Sequence, residues 1–208
     1  MRIEKIGHSC LVVQTGDARL LIDPGTLAAG WETLTGLTGI LLTHQHADHY
    51  DADRFGALVE ANPDAVIVAD EGTAPLLAAR GLTVTTVRDG DSVDVGVTVG
   101  VSGRVHAVIH PDIPTVPNVG YVVDELFHPG DAFIPPPAGV RVLAAPMVAP
   151  WNKISEVVDY LRAAGVAVVV PVHDGITSVP GMYQAIAGGL LPDSTTLHSL
   201  AGEGLVTF

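Results

Sequence analysis

The segment Thr43-His44-Gln45-His46-Ala47-Asp48-His49 follows directly on the apolar run Ile40–Leu42. Four side chains able to ligate a metal, His44, His46, Asp48 and His49, fall within six residues. The run before them reads as a strand buried on both faces. On an extended segment residues i and i+2 point to the same side, so His44 and His46 can converge on one ion. On an α-helix the same two would diverge by about 200°. A turn after His46 could swing Asp48 and His49 toward a second ion nearby. Imidazole and carboxylate together suit zinc, iron or manganese. Such a junction needs a sheet whose strand ends gather polar loops at one edge.

Six residues cannot complete two coordination spheres, so further ligands must come from elsewhere in the chain. His173 follows the apolar run Val166–Val172 and precedes Asp174-Gly175, where a strand exits into a loop. Asp131 sits in the tight turn His128-Pro129-Gly130-Asp131 after Leu126-Phe127. His106 falls in a strand-like stretch, Val105–Ile109, and His110 follows four residues later. His106 is favoured because the strand Val97–Val101 and its turn would deliver it; His110 stays open as the alternative.

The rest of the pattern is strand-rich. Cys10–Val13 and Arg19–Ile22 flank Gly16-Asp17, a hairpin signal. Asp51 can cap a helix over Ala52–Ala61, and Thr73 can cap Ala74–Arg80 before Gly81. Strand patterns return at Ala65–Val68, Val84–Val87, Val93–Val95, Val97–Val101, Tyr121–Val123, Val140–Ala144 and Val166–Pro171. Ile154, Val157, Val158 and Leu161 recur at helical spacing ahead of Gly165, and Gly181–Ala187 reads as a weaker helix. Strands then helix, twice over, predict two sheets packed together with helices outside rather than a doubly wound sheet.

Composition narrows the partners. The 23 acids and 10 bases leave a net charge of −13. Nucleic acid is not expected as a partner, because phosphate backbones need a basic face. Docking on anionic lipid is disfavoured for the same reason. The longest charge-free apolar stretches fall well short of the about 20 residues of a membrane span. No leader pattern precedes the first strand, and the lone Cys10 fits a reducing compartment, so the expected location is cytoplasmic. At roughly 150 residues per domain, a 208-residue chain is expected to be one domain spanning residues 1–208. The 48% apolar content leaves room for a homo-oligomer interface.

These motifs taken together resemble the metallo-β-lactamase-fold hydrolases. Within them the chain is similar to the small stand-alone group related to L-ascorbate-6-phosphate lactonase and the uncharacterised metal-dependent hydrolases. The His-x-His-x-Asp-His signature stands at His44, His46, Asp48 and His49. His106, Gly130-Asp131 and Pro171–His173 match the later single-ligand motifs in order. Gly7-His8-Ser9 and Ile22-Asp23-Pro24 also fit, whereas Ala132 replaces a frequent threonine. The resemblance implies an α/β (α+β) fold, a four-layer αββα sandwich with two divalent metal ions at one edge. Zinc is the first choice, with manganese or iron as alternatives. It further implies that His44, His46 and His106 hold one ion, that Asp48, His49 and His173 hold the other, and that Asp131 bridges them.

The expected activity is hydrolysis of a small ester, lactone or phosphoester by a metal-bridging hydroxide. Asp48, a carboxylate beside that nucleophile, is the expected proton acceptor and donor. Two alternatives remain: a non-haem di-iron redox protein and a non-catalytic metal-binding protein on the same fold. Several residues have two readings each. His8 either lines the site edge or sits in a surface turn. Asp23 either holds a ligand histidine's free N–H or is a turn carboxylate. His110 either contacts substrate or is a loop histidine, and His128 is expected beneath the Asp131 turn. Trp151 and Lys153 lie on a loop that faces the metals in this fold. Lys153 either receives an anionic substrate group or is a solvated helix-start lysine. Trp31 lies in Gly25–Gly39, either a mobile flap or a loop anchored by a buried indole.

Overall fold

The computed structural model describes residues 1–208. The chain begins with β1 (Arg2–Gly7), β2 (Cys10–Thr15), β3 (Ala18–Ile22), β4 (Gly39–Leu42), α1 (Phe55–Ala61), β5 (Val66–Ala69), α2 (Thr73–Ala78) and β6 (Thr85–Thr86). It continues with β7 (Ser92–Asp94), β8 (Thr98–Ser102), β9 (Gly120–Val123), β10 (Leu126–His128) and β11 (Val142–Pro146). It ends with α3 (Ile154–Ala164), β12 (Val168–Val172), α4 (Pro180–Gly188), β13 (Thr196–Leu197) and β14 (Val206–Thr207). Two seven-stranded sheets result, ordered β14-β1-β2-β3-β4-β5-β6 and β13-β12-β11-β10-β9-β8-β7.

Period-two alternation sorts the apolar side chains into three layers of contact. Leu11, Val13, Leu20, Ile22 and Leu41 of the first sheet meet Val99, Tyr121, Val123, Ala144 and Val170 of the second in the central core. Their strand neighbours Val12, Leu21, Ile40 and Leu42 face outward and are covered by Phe55 and Leu58 of α1 and Leu77 of α2. On the other side Leu143, Ala145 and Val169 are covered by Val157, Val158 and Leu161 of α3 and Ala187 of α4. Strands buried on both faces therefore read as unbroken apolar runs. The result is an αββα sandwich. No helix is long and apolar enough to cross a membrane.

Local departures from the sequence pattern have identifiable causes. Val105–Ile109 is not a strand; it belongs to the irregular stretch between β8 and β9, with only an isolated Val105–Pro117 bridge. Pro111, Pro114 and Pro117 remove ladder donors from that stretch. The first helix starts at Phe55 rather than Ala52, because Asp51 Oδ1 accepts the N–H groups of Asp53 and Arg54 and holds residues 51–54 in a turn. Asp70, not Thr73, caps α2, accepting the N–H groups of Gly72 and Thr73. The Gly25–Gly39 segment is an anchored loop: the Trp31 indole is fully buried and donates to the carbonyls of Gly25 and Ala28 at 3.2 Å each.

Direction of pairing places the site. β3, β4, β5 and β6 run parallel to one another, as do β10, β11, β12 and β13. Their C-terminal ends collect at one edge of the sandwich, and the residues after β3, β4, β10, β11 and β12 emerge there. The sheets are also tied directly beneath that edge. Tyr121 Oη donates to Leu42 O at 2.7 Å, and Val119 N–H donates to Thr43 O at 3.0 Å. Tyr121→Phe should leave the Leu42 carbonyl short of a partner and destabilise the fold by about 1–2 kcal/mol. Urea denaturation should show a lower midpoint with an unchanged slope; an unchanged midpoint would deny this tie any energetic role.

Candidate metal centre

The loop after β4 brings His44, His46, Asp48 and His49 to the edge, and three other segments add His106, Asp131 and His173. The ligating atoms of His44, His46 and His106 lie within 4.8 Å of one another. Those of Asp48, His49 and His173, with His8, form a second group of the same span. Asp131 stands between the groups. Its Oδ1 is 3.1 Å from His49 Nε2, and its Oδ2 is 2.9 Å from His173 Nε2 and 3.4 Å from His106 Nε2.

Hydrogen bonding decides which nitrogen of each ring faces inward. His106 Nδ1 donates to Ala107 O at 2.6 Å, and His173 Nδ1 donates to Val148 O at 2.7 Å. A carbonyl can only accept, so both rings carry their proton on Nδ1. His49 Nδ1 donates to Asp23 Oδ2 at 2.7 Å. Thr43 Oγ1 spends its proton on Asp23 Oδ2 at 2.8 Å, so it accepts from His44 Nδ1 at 3.1 Å. Four outer partners thus leave four Nε2 lone pairs pointing at one volume, the arrangement that orients metal ligands.

The donor set fits divalent metal. Ten buried side-chain N or O atoms lack a hydrogen bond, and five are His44, His49, His106 and His173 Nε2 and Asp131 Oδ1. Elsewhere in a protein each such orphan costs about 1–3 kcal/mol. Two ligands on a tetrahedral ion with bonds of about 2.0–2.1 Å sit about 3.3 Å apart. The Asp131 contacts have that spacing, without the alignment of hydrogen bonds. Imidazole nitrogen and carboxylate oxygen suit zinc, manganese or iron.

Charges in the cluster are strongly coupled. Burial lowers His173, but the Asp131 and Asp48 carboxylates beside it outweigh burial and raise its pKa to about 9. His49 is also buried, yet Asp131 and Asp23 hold it well above the usual imidazole range. His44 is pushed well below that range by burial and then by its imidazole neighbours. Burial would raise Asp131, but His49, His106 and His173 hold it well below the usual carboxylate range. Asp48 is lowered as well: burial opposes the shift, and His173 and His8 drive it.

The backbone is bent to deliver these groups. Only four non-glycine residues have positive φ, and three, His8, Asp23 and His173, are at this edge, at 44°, 50° and 55°. Such strain concentrates where surrounding contacts over-determine a site. A methyl at Gly25 would fall 1.8 Å from Asp48 O, so glycine lets the Asp23–Gly25 turn pack on the ligand loop. Gly130, at φ +63°, lets the Asp131 turn close on Asn118 Oδ1, 2.3 Å from where a Cβ would stand.

His8 is buried, and its Nδ1 accepts the Gly175 N–H at 3.0 Å. Its proton therefore sits on Nε2, which donates to Asp48 Oδ2 at 3.2 Å. His8 thus orients Asp48 and has no free lone pair for an ion. Trp151 Nε1 donates to Asp131 Oδ2 at 3.0 Å. His128 lies beneath the Asp131 turn, accepting Gly130 N–H and donating to Ser9 O. His110 stays outside the cluster, its side chain 60% exposed in a local pairing with Asp112. Lys153 also lies outside it, 80% exposed and 3.7 Å from Glu156.

Two contributors escaped the sequence reading. Thr43 links Asp23 to His44, and its position beside the histidines was the only signal. Asn118 Oδ1 accepts Asp131 N–H at 3.0 Å, and its Nδ2 donates to Pro129 O. Nothing local to Asn118 marks that role.

An αββα sandwich whose strand ends carry this His/Asp cluster is a metal-dependent hydrolase of the metallo-β-lactamase fold. Residues 2–173 match the β-lactamase superfamily domain, and the chain belongs to that family. It is 45% identical to Protein Rv0786c of Mycobacterium tuberculosis over 100% of both chains. It is 34% identical to a UPF0173 metal-dependent hydrolase of Mesorhizobium japonicum over 50% of this chain and 44% of that one. The metallo-β-lactamase-fold protein YhfI of Bacillus subtilis superposes with a TM-score of 0.68 at 16% identity, over 95% of each chain.

Two expectations follow from the cluster. Without metal His173 carries a proton below pH about 9, and a ligand must be neutral, so metal binding at pH 7.5 should release protons. Apparent affinity should then climb as pH rises toward 9. Calorimetry in two buffers of different ionisation heat reads that release; equal heats would contradict it. Asp23→Asn should weaken metal binding about 10- to 100-fold while far-UV circular dichroism stays unchanged. Unaltered affinity would remove Asp23 from the site.

Proposed function

We propose that this protein is a dinuclear metallohydrolase that cleaves a small ester, lactone or phosphoester. The observation supporting this most directly is the convergence on one edge of the sandwich of four Nε2 atoms, each on a ring whose Nδ1 is held by an outer partner, and two carboxylates. His44, His46 and His106 would hold one ion, Asp48, His49 and His173 the other, with Asp131 between them. Such ions, when bound, supply an activated water at neutral pH and polarise the substrate's reacting oxygen.

The chain's own residues do the rest. Asp48 is part-exposed, lines the cavity over the site, and is kept as a carboxylate by His8 and His173. It can take the proton of the attacking water and return it to the leaving alcohol. His8 holds that carboxylate in place. The Trp151 N–H steadies Asp131 from the substrate side. Water adds to the carbonyl or phosphoryl centre, the bond to the leaving oxygen breaks, and an acid and an alcohol result. Cys10 is buried, with its thiol pushed well above the usual range by burial, so it offers no nucleophile.

The test is a screen of esters, lactones and phosphoesters with zinc-, manganese- and iron-loaded protein. Turnover should vanish on chelation and return with metal. Asp48→Asn should lower kcat about 10²- to 10⁴-fold. Turnover that survives chelation would reject the reading, and oxygen consumption with a visible iron band would favour the di-iron alternative.

A further inference from the structure

We infer that the substrate carries an uncharged, apolar group beside its scissile carbonyl, which narrows the hydrolase reading above and rests on it. The cavity over the cluster has a volume of about 280 Å³, small even for a metabolite site. Its floor is the candidate ligands. Its wall is Ile109, Pro150, Trp151 and Ile176. Ile176 is 48% exposed, and Val108 beside Ile109 is 59% exposed. Large aliphatic side chains left open around a polar floor mark a surface for an apolar ligand group.

The wall is fixed. Trp151 is pinned through Nε1 to Asp131, and its ring packs edge-on against Phe133 at 5.0 Å. Phe133 in turn stacks on Tyr160 at 4.7 Å, and Tyr160 Oη donates to Ile134 O.

Apart from the ions the floor would hold, no lysine or arginine is available for a remote anionic group. None of the ten bases lines the cavity. Lys5, Arg54, Arg88, Arg104, Arg141 and Lys153 face carboxylates. Arg2 donates to Gln14, and Arg19, Arg80 and Arg162 donate to backbone carbonyls. Asp48 at the cavity and the net charge of −13 would both repel a second negative charge. A short-chain neutral ester or an alkyl-substituted lactone fits these walls; a phosphoester with a charged remote group does not.

The test uses the zinc-loaded full chain and two esters with the same leaving group and chain length. These are p-nitrophenyl butyrate and mono-p-nitrophenyl succinate, which differ in a remote carboxylate. The butyrate should have a kcat/KM about tenfold higher or more. Ile176→Lys should shrink or invert that ratio, and Ile109→Lys should act likewise should the first variant fold poorly. Equal or faster turnover of the succinate, or a ratio unmoved by either lysine, would overturn the inference. Turnover of neither ester would instead count against the hydrolase reading. Binding of butyramide and succinamate, followed by tryptophan fluorescence, then decides the inference alone. Tighter butyramide binding by about tenfold supports it, and equal or tighter succinamate binding overturns it.

Discussion

Everything at this edge depends on how the Nδ1 protons of four histidines are spent. Asp23, Thr43, Ala107 O and Val148 O take them from His49, His44, His106 and His173. Once those four bonds are made, the rings cannot turn and their lone pairs face a common volume. The arrangement is costly without an ion, since buried nitrogens stand orphaned beside one carboxylate and protons must hold the cluster together. It is favourable with one, because the same atoms become a coordination shell. Two of the four outer acceptors are backbone carbonyls, so the ligand geometry is built into the chain trace itself.

The fold exists in a form that delivers those acceptors. Parallel strands in each sheet send their C-terminal ends to one side, so the loops after β3 and β4 meet the loops after β10, β11 and β12. Tyr121 and Val119 lock the sheets together at Leu42 and Thr43, the two residues before His44. His8 and His173 bend at positive φ, and His173 N–H donates to His8 O, joining the N-terminal strand to the last ligand strand. A second tie is the buried Lys5–Asp174 ion pair, which clamps β1 to the loop that begins at His173.

Legibility in the sequence followed sequence distance. His44 to His49 could be read because contiguous ligands beside an apolar strand have one economical explanation. The two-sheet sandwich and α3 could be read because periodicity is local. Val105–Ile109 misled because its apolar residues resemble a strand while three nearby prolines deny it a ladder. The edge strands β13 and β14 are two residues each, too short for any period, while β6 could be read only through the longer apolar run Val84–Val87 around it. Asn118 and the Val148 carbonyl were invisible because their roles exist only across the fold, whereas Asp23 could be read as a partner for a ligand histidine from its turn. The choice of His106 over His110 rested on delivery by the strand Val97–Val101, which the structure has as β8, and His106 turns inward because its N–H and Ala107 N–H are held by Val116 O and Asp131 O.

In the proposed centre seven side chains would form one dinuclear shell with Asp131 shared. Elemental analysis of natively purified protein, beside His46→Ala and Asp131→Ala, tests it most directly. About two divalent ions per chain are expected, with a loss in each variant and retention of the fold. One ion or none, unchanged by either substitution, would contradict it.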